Sequence, residues 1–187
     1  AIGDSTFLHS GITGVLDAVY NKANVVVLIL DNRITAMTGG QHHPGTGVTL
    51  MGEETFQVDF VELCKTLGVK DIHTVDAYDL DASKKVLKSA LEYDGPSVVI
   101  TSRPCVLMPN KIKETPYTVL LDECNGCKLC FRIGCPAIYA SEEKTEKGHN
   151  KAIIDPETCT GCTICAQVCP KDCIVRVDSP AVEGART

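Results

Sequence analysis

What this sequence lacks narrows its function first. It has no surplus of positive charge: 18 lysines and arginines stand against 24 aspartates and glutamates, a formal charge of -6. Nucleic acid and anionic lipid call for a basic patch or stripe, so neither is an expected partner. No apolar run approaches the ~20 residues of a membrane-spanning helix, and no basic-then-apolar leader opens the chain. The expectation is a soluble, cytoplasmic protein. An initiator methionine is also missing. The opening "AIGDST" reads as the end of a strand already under way, so a piece of a longer chain is expected. Nothing signals secretion, which removes the setting in which cysteines pair as disulfides.

Cysteine itself is abundant. Of eleven in 187 residues, nine lie between Cys124 and Cys173, while Cys64 and Cys105 stand apart. The nine fall into two tandem blocks, "LLDECNGCKLCFRIGCPAI" and "IIDPETCTGCTICAQVCPKDCI", whose first cysteines, Cys124 and Cys159, are 35 residues apart. A strand-like apolar stretch flanks each block on both sides. In a reducing cytoplasm this pattern points to metal or cluster ligation. Zinc is the plainer alternative, since paired CxxC units bind it. Three evenly spaced cysteines followed by Cys-Pro, twice over, favour iron and sulfide.

The two blocks resemble a bacterial-type two-cluster ferredoxin module. A two-residue gap lets successive thiolates reach neighbouring corners of a cuboidal cluster, and the fourth cysteine of each run serves the other cluster. Cys124, Cys127, Cys130 and Cys169 are then expected to hold one 4Fe–4S cluster, and Cys159, Cys162, Cys165 and Cys135 the second. The first block departs from the pattern: four residues, "FRIG", separate Cys130 from Cys135. A cysteine that ligates the distant cluster tolerates a bulge, with Gly134 taking the awkward dihedrals. Cys173 reads as a packed thiol near a cluster, Cys64 as a core residue of an amphipathic helix, and Cys105, in "TSRPC", as a structural residue, with a place near the active site as the alternative.

The front half alternates strand and helix. A strand ends at "AIGD"; a helix fits "SGITGVLDAVYN"; "NVVVLILDN" has the continuous apolar run of a parallel strand buried on both faces. A Gly-rich loop runs from Arg33 to about Glu54. Helices are expected over "TFQVDFVELCKTLG" and "DLDASKKVLKSALEY", the latter opening with acidic residues suited to its dipole. Strands are expected at "IHTV" and "GPSVVITSR". The fold class is α/β with an open parallel sheet over residues 1–113, followed by a small α+β unit over 114–187. Ligands of such sheets bind at the carboxyl ends of the strands.

Two strand ends carry the polar residues, "GDST" at Gly3 to Thr6 and "LDNRITAMTGGQ" at Leu30 to Gln41. A Gly-Asp at one end and an Asn after the next apolar strand resemble the thiamine-diphosphate motif. The resemblance implies a partial, N-terminally truncated thiamine-diphosphate-binding domain that holds the diphosphate side. Asp4, Asn32 and the backbone carbonyl of Ile34 would ligate the Mg²⁺ that bridges the diphosphate. Mg²⁺ takes hard oxygen ligands and keeps phosphate oxygens in its shell. Gly3 would let the backbone come close, Ser5 stands where many thiamine enzymes carry glycine, and Thr6 and Ser10 would add hydrogen bonds. The helix after "GDST" would aim its N-terminus at the diphosphate. Without the motif, the same half is an ordinary doubly wound domain with an acidic loop.

Taken together, "GDSTFLHSG", "LDNRITAMTG", "HPGTG" and the terminal ferredoxin module resemble the alpha-subunit family of the indolepyruvate:ferredoxin oxidoreductases, within the 2-oxoacid:ferredoxin oxidoreductases. The resemblance covers nearly the whole chain. It implies oxidative decarboxylation of an aryl 2-oxoacid with coenzyme A, electrons leaving through two 4Fe–4S clusters to ferredoxin, and a smaller beta subunit as partner. It also implies that an upstream pyrimidine-binding domain is needed to complete the active site. His9, His42 and His43 are the candidates for the catalytic pocket; His73 and His149 have no motif and are expected at the surface. Two rival readings are a pyruvate or 2-oxoglutarate oxidoreductase with the same machinery, and an electron-transfer protein fused to a non-catalytic α/β domain.

Overall fold

The computed structural model describes residues 1–108 and 114–184. The chain divides into two compact units, residues 1–111 and 112–187. The boundary expected at 113/114, and the middle of the proline-bearing linker between Pro104 and Pro116, fall on residues outside the described ones.

In the first unit four parallel strands, β1 (Ile2–Gly3), β2 (Val26–Asp31), β3 (Asp71–Asp76) and β4 (Ser97–Ser102), form one sheet in the order β1-β2-β4-β3. β2 pairs with β4 from Val26↔Ser97 to Asp31↔Ser102, and β1 meets β2 through Gly3↔Leu30. Alternation along β4 feeds two faces, as the period of a strand requires. Val98 and Ile100 join Phe7, Val15, Ile29, Phe60 and Cys64 on one side. Val99 joins Val75 and Ala90 on the other. Helices thus cover both faces, which explains why "VVLIL" and "SVVI" carry no polar residue except the buried Ser97.

Past β1 the chain is helical from Asp4 to Tyr20, with α1 (Asp4–Thr6) and α2 (Ile12–Tyr20) joined through a π-helical stretch, Phe7–Gly11. α3 spans only Phe60–Thr66, five residues shorter at its start than the pattern "TFQVDFVELCKTLG" suggests. The reason is a cap: the Asp59 carboxylate accepts from the backbone N–H groups of Val61 and Glu62 at 2.8 and 3.0 Å, which satisfies donors that would otherwise be orphaned. Thr55 and Val58 spend their own N–H groups on the carbonyls of Gly47 and Pro44. α4 (Leu80–Glu92) is capped by Asp79 in the same way.

The second unit is built from two antiparallel pairs, β5 (Tyr117–Val119) with β8 (Ile174–Arg176) and β6 (Ile138–Lys144) with β7 (Asn150–Ile154). Short helices α5 (Ile164–Gln167) and α6 (Pro180–Gly184) complete it. Its core is unusual in content: Cys130, Cys159, Cys165 and Cys173 are buried beside Val119, Ala137, Ile138, Ala152, Ile154 and Ile174. Among the described residues no helix is long and apolar enough to cross a membrane.

Candidate functional site: strand ends and cysteine tetrads

The first unit gathers its polar residues where the argument from sheet topology places them, at the carboxyl ends of adjacent strands β1 and β2. Asp4 begins α1 and is 2% exposed. Its Oδ2 accepts from the N–H of Arg33 at 2.9 Å, and its Oδ1 from the N–H of Ser5 at 2.7 Å. Arg33 holds a left-handed φ of 64° to aim that N–H, a conformation that costs a non-glycine residue on the order of 1 kcal/mol. Asn32 turns its Oδ1 back onto the N–H of Ile34 at 3.1 Å, and Ile34 is buried. Ser5 accepts from Thr35 Oγ1 at 2.9 Å, which ties the "GDST" turn to the start of the long loop.

The three candidate histidines part company. His43 is buried: its Nδ1 accepts from the Gly45 N–H at 3.2 Å, which puts the ring proton on Nε2, 3.2 Å from Asp4 Oδ2. That approach lies off the line of a good hydrogen bond, and Nε2 is left without a true partner. His42 is half-buried, with Nδ1 3.2 Å from Thr46 Oγ1. His9 is exposed in the π-helical stretch, and Thr6 is exposed with its carbonyl accepting from Ser10 Oγ at 3.3 Å. His149 is exposed; His73 is only half-buried and sits 3.1 Å from the Asp71 carboxylate.

Two site residues escaped the reading of the sequence. Asp31 is 3% exposed, accepts from Ser102 Oγ at 2.6 Å and pairs with Arg33 Nε at 3.0 Å, yet its Oδ1 has no partner. Arg33 bridges both carboxylates, by backbone to Asp4 and by side chain to Asp31. The signal was present: a charged residue closing a strand that is otherwise apolar on both faces needs a buried partner. Cys105 is half-buried and donates its N–H to the Asn32 carbonyl at 2.9 Å.

This set suits a hydrated divalent cation that holds a diphosphate. One buried carboxylate, one amide oxygen and backbone carbonyls are hard donors. Gly3 takes φ -71° and ψ 152°, open to any residue, and a Cβ there would meet no atom of the chain within 4 Å. The space beside it is therefore free for a ligand's approach. Among the described residues no three His, Cys, Asp or Glu side chains converge on one point as ligands of a lone metal ion; Asp4 would need the neutral oxygens of Asn32 and Ile34, and the diphosphate itself.

In the second unit two buried thiols have neighbours from both cysteine blocks. Burial, then the neighbouring Cys124 and Cys127 thiolates and finally Cys169, push the Cys130 thiol above its ordinary range. Burial, then Cys162, Cys159 and Cys135, push Cys165 up to about 12. The surroundings of Cys130 thus include Cys169 of the other block, and those of Cys165 include Cys135. Thiols this reluctant to ionise need cationic iron to hold them as thiolates. Cys173 adds a ninth sulfur: it is 2% exposed, 3.4 Å from Cys169, and raised to about 12 by burial first.

The two ligand loops share their backbone. Gly126 and Lys128 have φ 65° and 63°; Gly161 and Thr163, each 35 positions later, have 72° and 67°. Left-handed residues alternating with ligands turn backbone N–H groups inward, the kind of nest that holds anionic iron–sulfur cores. At Gly161 a Cβ would lie 2.5 Å from Glu114 Cβ and 2.8 Å from the Thr115 carbonyl, so only glycine fits. The extra residue before Cys135 is absorbed by a 3₁₀ turn, Cys130–Ile133, closed by Gly134 at φ 70°.

Comparison with known proteins agrees with this division. The indolepyruvate oxidoreductase subunit IorA of Pyrococcus abyssi is 43% identical over 183 residues, covering 94% of this chain and 27% of that protein. The IorA subunit of Thermococcus kodakarensis is 43% identical over 178 residues, covering 91% and 27%. The chain spans about a quarter of the length of these curated relatives. A solved 2-oxoglutarate:ferredoxin oxidoreductase from Magnetococcus marinus, with 2-oxoglutarate, coenzyme A and succinyl-CoA bound, superposes with a TM-score of 0.53 at 22% identity, covering 59% of this chain and 40% of that one. That likeness concerns the fold. Residues 123–173 match the 4Fe-4S dicluster domain, and residues 1–101 match the thiamine pyrophosphate enzyme C-terminal TPP binding domain. With more than half its length in that domain, the chain belongs to the thiamine pyrophosphate enzymes and carries thiamine diphosphate and 4Fe–4S clusters as its cofactors.

Proposed function

We propose that this chain is the cofactor- and cluster-bearing end of an enzyme that oxidatively decarboxylates an aryl 2-oxoacid, indolepyruvate or a close analogue, with coenzyme A. The single observation that carries the reading is the covalent union of a thiamine-diphosphate domain with a two-cluster electron relay. Thiamine diphosphate would supply the decarboxylation chemistry, and the cysteines of the second unit would hold the clusters that accept the electrons, two per 2-oxoacid, on their way to ferredoxin. The aryl preference rests on the likeness to the two IorA subunits.

The residues divide the work. Asp4, Asn32 and the Ile34 carbonyl hold Mg²⁺ against the diphosphate. Gly3, Ser5 and Thr6 line the approach. The Ser5 and Arg33 N–H groups orient the Asp4 carboxylate, and His43 is buried against it, 3.2 Å from Oδ2; His42 and His9 stand on the loop and helix that border the pocket. Met37, Met51 and Phe56 are exposed around the same loop, an apolar rim that suits a site completed by the pyrimidine-side domain and a smaller partner subunit.

The test is substrate turnover by the full-length two-subunit enzyme, purified without oxygen. Indolepyruvate, phenylpyruvate, pyruvate and 2-oxoglutarate are compared with coenzyme A and a viologen dye. Aryl substrates should lead by at least about tenfold in kcat/KM, roughly 1.4 kcal/mol of transition-state discrimination. A lead for pyruvate or 2-oxoglutarate overturns the aryl assignment. Absence of thiamine diphosphate from an active preparation overturns the whole reading.

A further inference from the structure

A charged cleft in the second unit has no role in the functions described so far. One wall is the ligand loop that contains Cys124 and Cys127, the other the turn between β6 and β7. Its lysines are Lys128, Lys144, Lys147, Lys151 and Lys171. Three carboxylates, Asp122, Glu123 and Glu146, share the cleft, so it remains net positive on a chain of net charge -6. Among the described residues, Lys151 is the one of these lysines within ion-pair distance of a carboxylate, 3.5 Å from Glu143. Lys128, Lys144, Lys147 and Lys171 point charge into solvent from exposed positions.

The cleft also contains the most exposed residue of the eight expected cluster cysteines. Cys127 is exposed, whereas Cys130, Cys159 and Cys165 are buried and the remaining ligands half-buried. Surroundings of the second ligand loop carry the opposite charge. Glu114 packs against Gly161, and Glu157 and Asp155 precede Cys159. Three carboxylates thus border the second ligand loop, whereas the first opens through exposed Cys127 into a cleft where lysines outnumber carboxylates.

We propose that this cleft is the docking site of an acidic one-electron carrier protein, and that the cluster held by Cys124, Cys127, Cys130 and Cys169 is the exit. A basic cleft steers an acidic partner and raises its local concentration, and an exposed ligand shortens the path for the electron. Each encounter moves one electron: the chain's cluster is oxidised by one charge and the carrier reduced by one, so two encounters clear one 2-oxoacid. Nearby positive charge also favours the reduced state of that cluster, which draws electrons toward the exit.

The proposal rests on the oxidoreductase reading, so the experiment separates the two. In the full-length two-subunit enzyme, Lys144→Glu, Lys147→Glu and Lys171→Glu are combined; none of these residues is a ligand. Clusters are reduced chemically, excess reductant is removed, and electron transfer to an acidic ferredoxin is followed across a range of ionic strength. In parallel, 2-oxoacid-driven reduction of a viologen dye is measured. The wild-type ferredoxin rate should fall steeply with salt. The triple variant should lose on the order of tenfold or more at low salt and show a flattened salt dependence, with iron content, electron paramagnetic resonance spectrum and KM for coenzyme A unchanged. An unchanged ferredoxin rate and salt slope overturn the proposal. A raised KM for coenzyme A instead would make the cleft a phosphate site, and failed subunit assembly would make it a subunit interface; either result also overturns it. A wild-type enzyme that passes electrons to ferredoxin after chemical reduction but not from any 2-oxoacid would sink the proposed reaction and leave the docking site standing.

Discussion

The two units of this chain solve the problem of holding a cofactor in opposite ways. In the α/β unit the core and the site are separate. Phe7, Ile29, Phe60, Cys64, Val98 and Ile100 carry the packing, and Asp4, Asn32 and Asp31 sit at the rim of the sheet. In the second unit they coincide: buried core residues such as Cys130, Cys159 and Cys165 are themselves expected ligands. An apolar core stabilises its fold by removing surface from water at roughly 25 cal/mol per Å². A core shared between apolar residues and buried thiols, among them Cys165 pushed up to about 12, has less of that surface and depends on the cofactor's bonds. The α/β unit is therefore a scaffold that binds, and the other a fold that its ligand completes.

The largest expected effect breaks this comparison outright. Iron removed by chelation under reducing conditions should abolish hydrogen-exchange protection in β5–β8, while β2 and β4 keep theirs. Equal loss in both units would refute the contrast. Next in size, Cys135→Ser should drop iron from about eight to about four atoms per chain. The cluster lost should be the one held by Cys159, Cys162 and Cys165, as the crossed neighbourhoods of Cys165 and Cys135 require; loss of the other would refute the crossing.

Glycine substitutions sharpen the point within the second unit. Gly161→Ala faces both a positive φ and backbone 2.8 Å from the new Cβ, and should prevent the second cluster from forming. Gly134→Ala, at φ 70° with nothing within 4 Å, should cost only about 1 kcal/mol and leave both clusters in place by absorption spectroscopy.

In the α/β unit a site residue can change with little effect on the fold. Asp4→Asn keeps an oxygen for the Arg33 N–H but removes the charge. Calorimetric titration should show thiamine-diphosphate affinity at ordinary Mg²⁺ falling by about a hundredfold, with the clusters intact. Asn32→Ala removes a dipole rather than a charge and should fall less. Normal affinity in Asp4→Asn would remove Asp4 from the metal site.

The smallest effect concerns Cys64. Burial pushes its thiol from 9.0 to about 11, so the fold retains a proton that the unfolded chain releases near pH 9. Stability from this group is fully present below pH 9 and is lost as pH rises from 9 toward 11. Cys64→Ala should flatten the alkaline fall in thermal stability of the α/β unit; an unaltered slope would show that Cys64 ionises freely.

By itself the sequence determined whatever depends on local pattern. Cysteine spacing pointed to a two-cluster domain, which residues 123–173 match, because a cuboidal core accepts ligands only at set intervals; the crossed fourth ligands are the expectation that goes with that spacing. Apolar runs located β2 and β4, because strands covered on both faces admit almost no polar side chain. Asp4 and Asn32 were legible as polar residues that end such runs. Tertiary structure decided the rest. The start of α3 moved to Phe60 because Asp59 caps the N–H groups of Val61 and Glu62, and the loop carbonyls of Gly47 and Pro44 take those of Thr55 and Val58. His43, one of three similar candidates, was singled out by burial against Asp4, a contact across 39 residues that no periodicity encodes. The pairing of Arg33 with Asp31, and the meeting of the Cys124 loop with lysines from a distant turn, likewise arise from chain return. Local sequence sets which groups a segment offers; only the folded path decides which charges share a cleft and which are left in water.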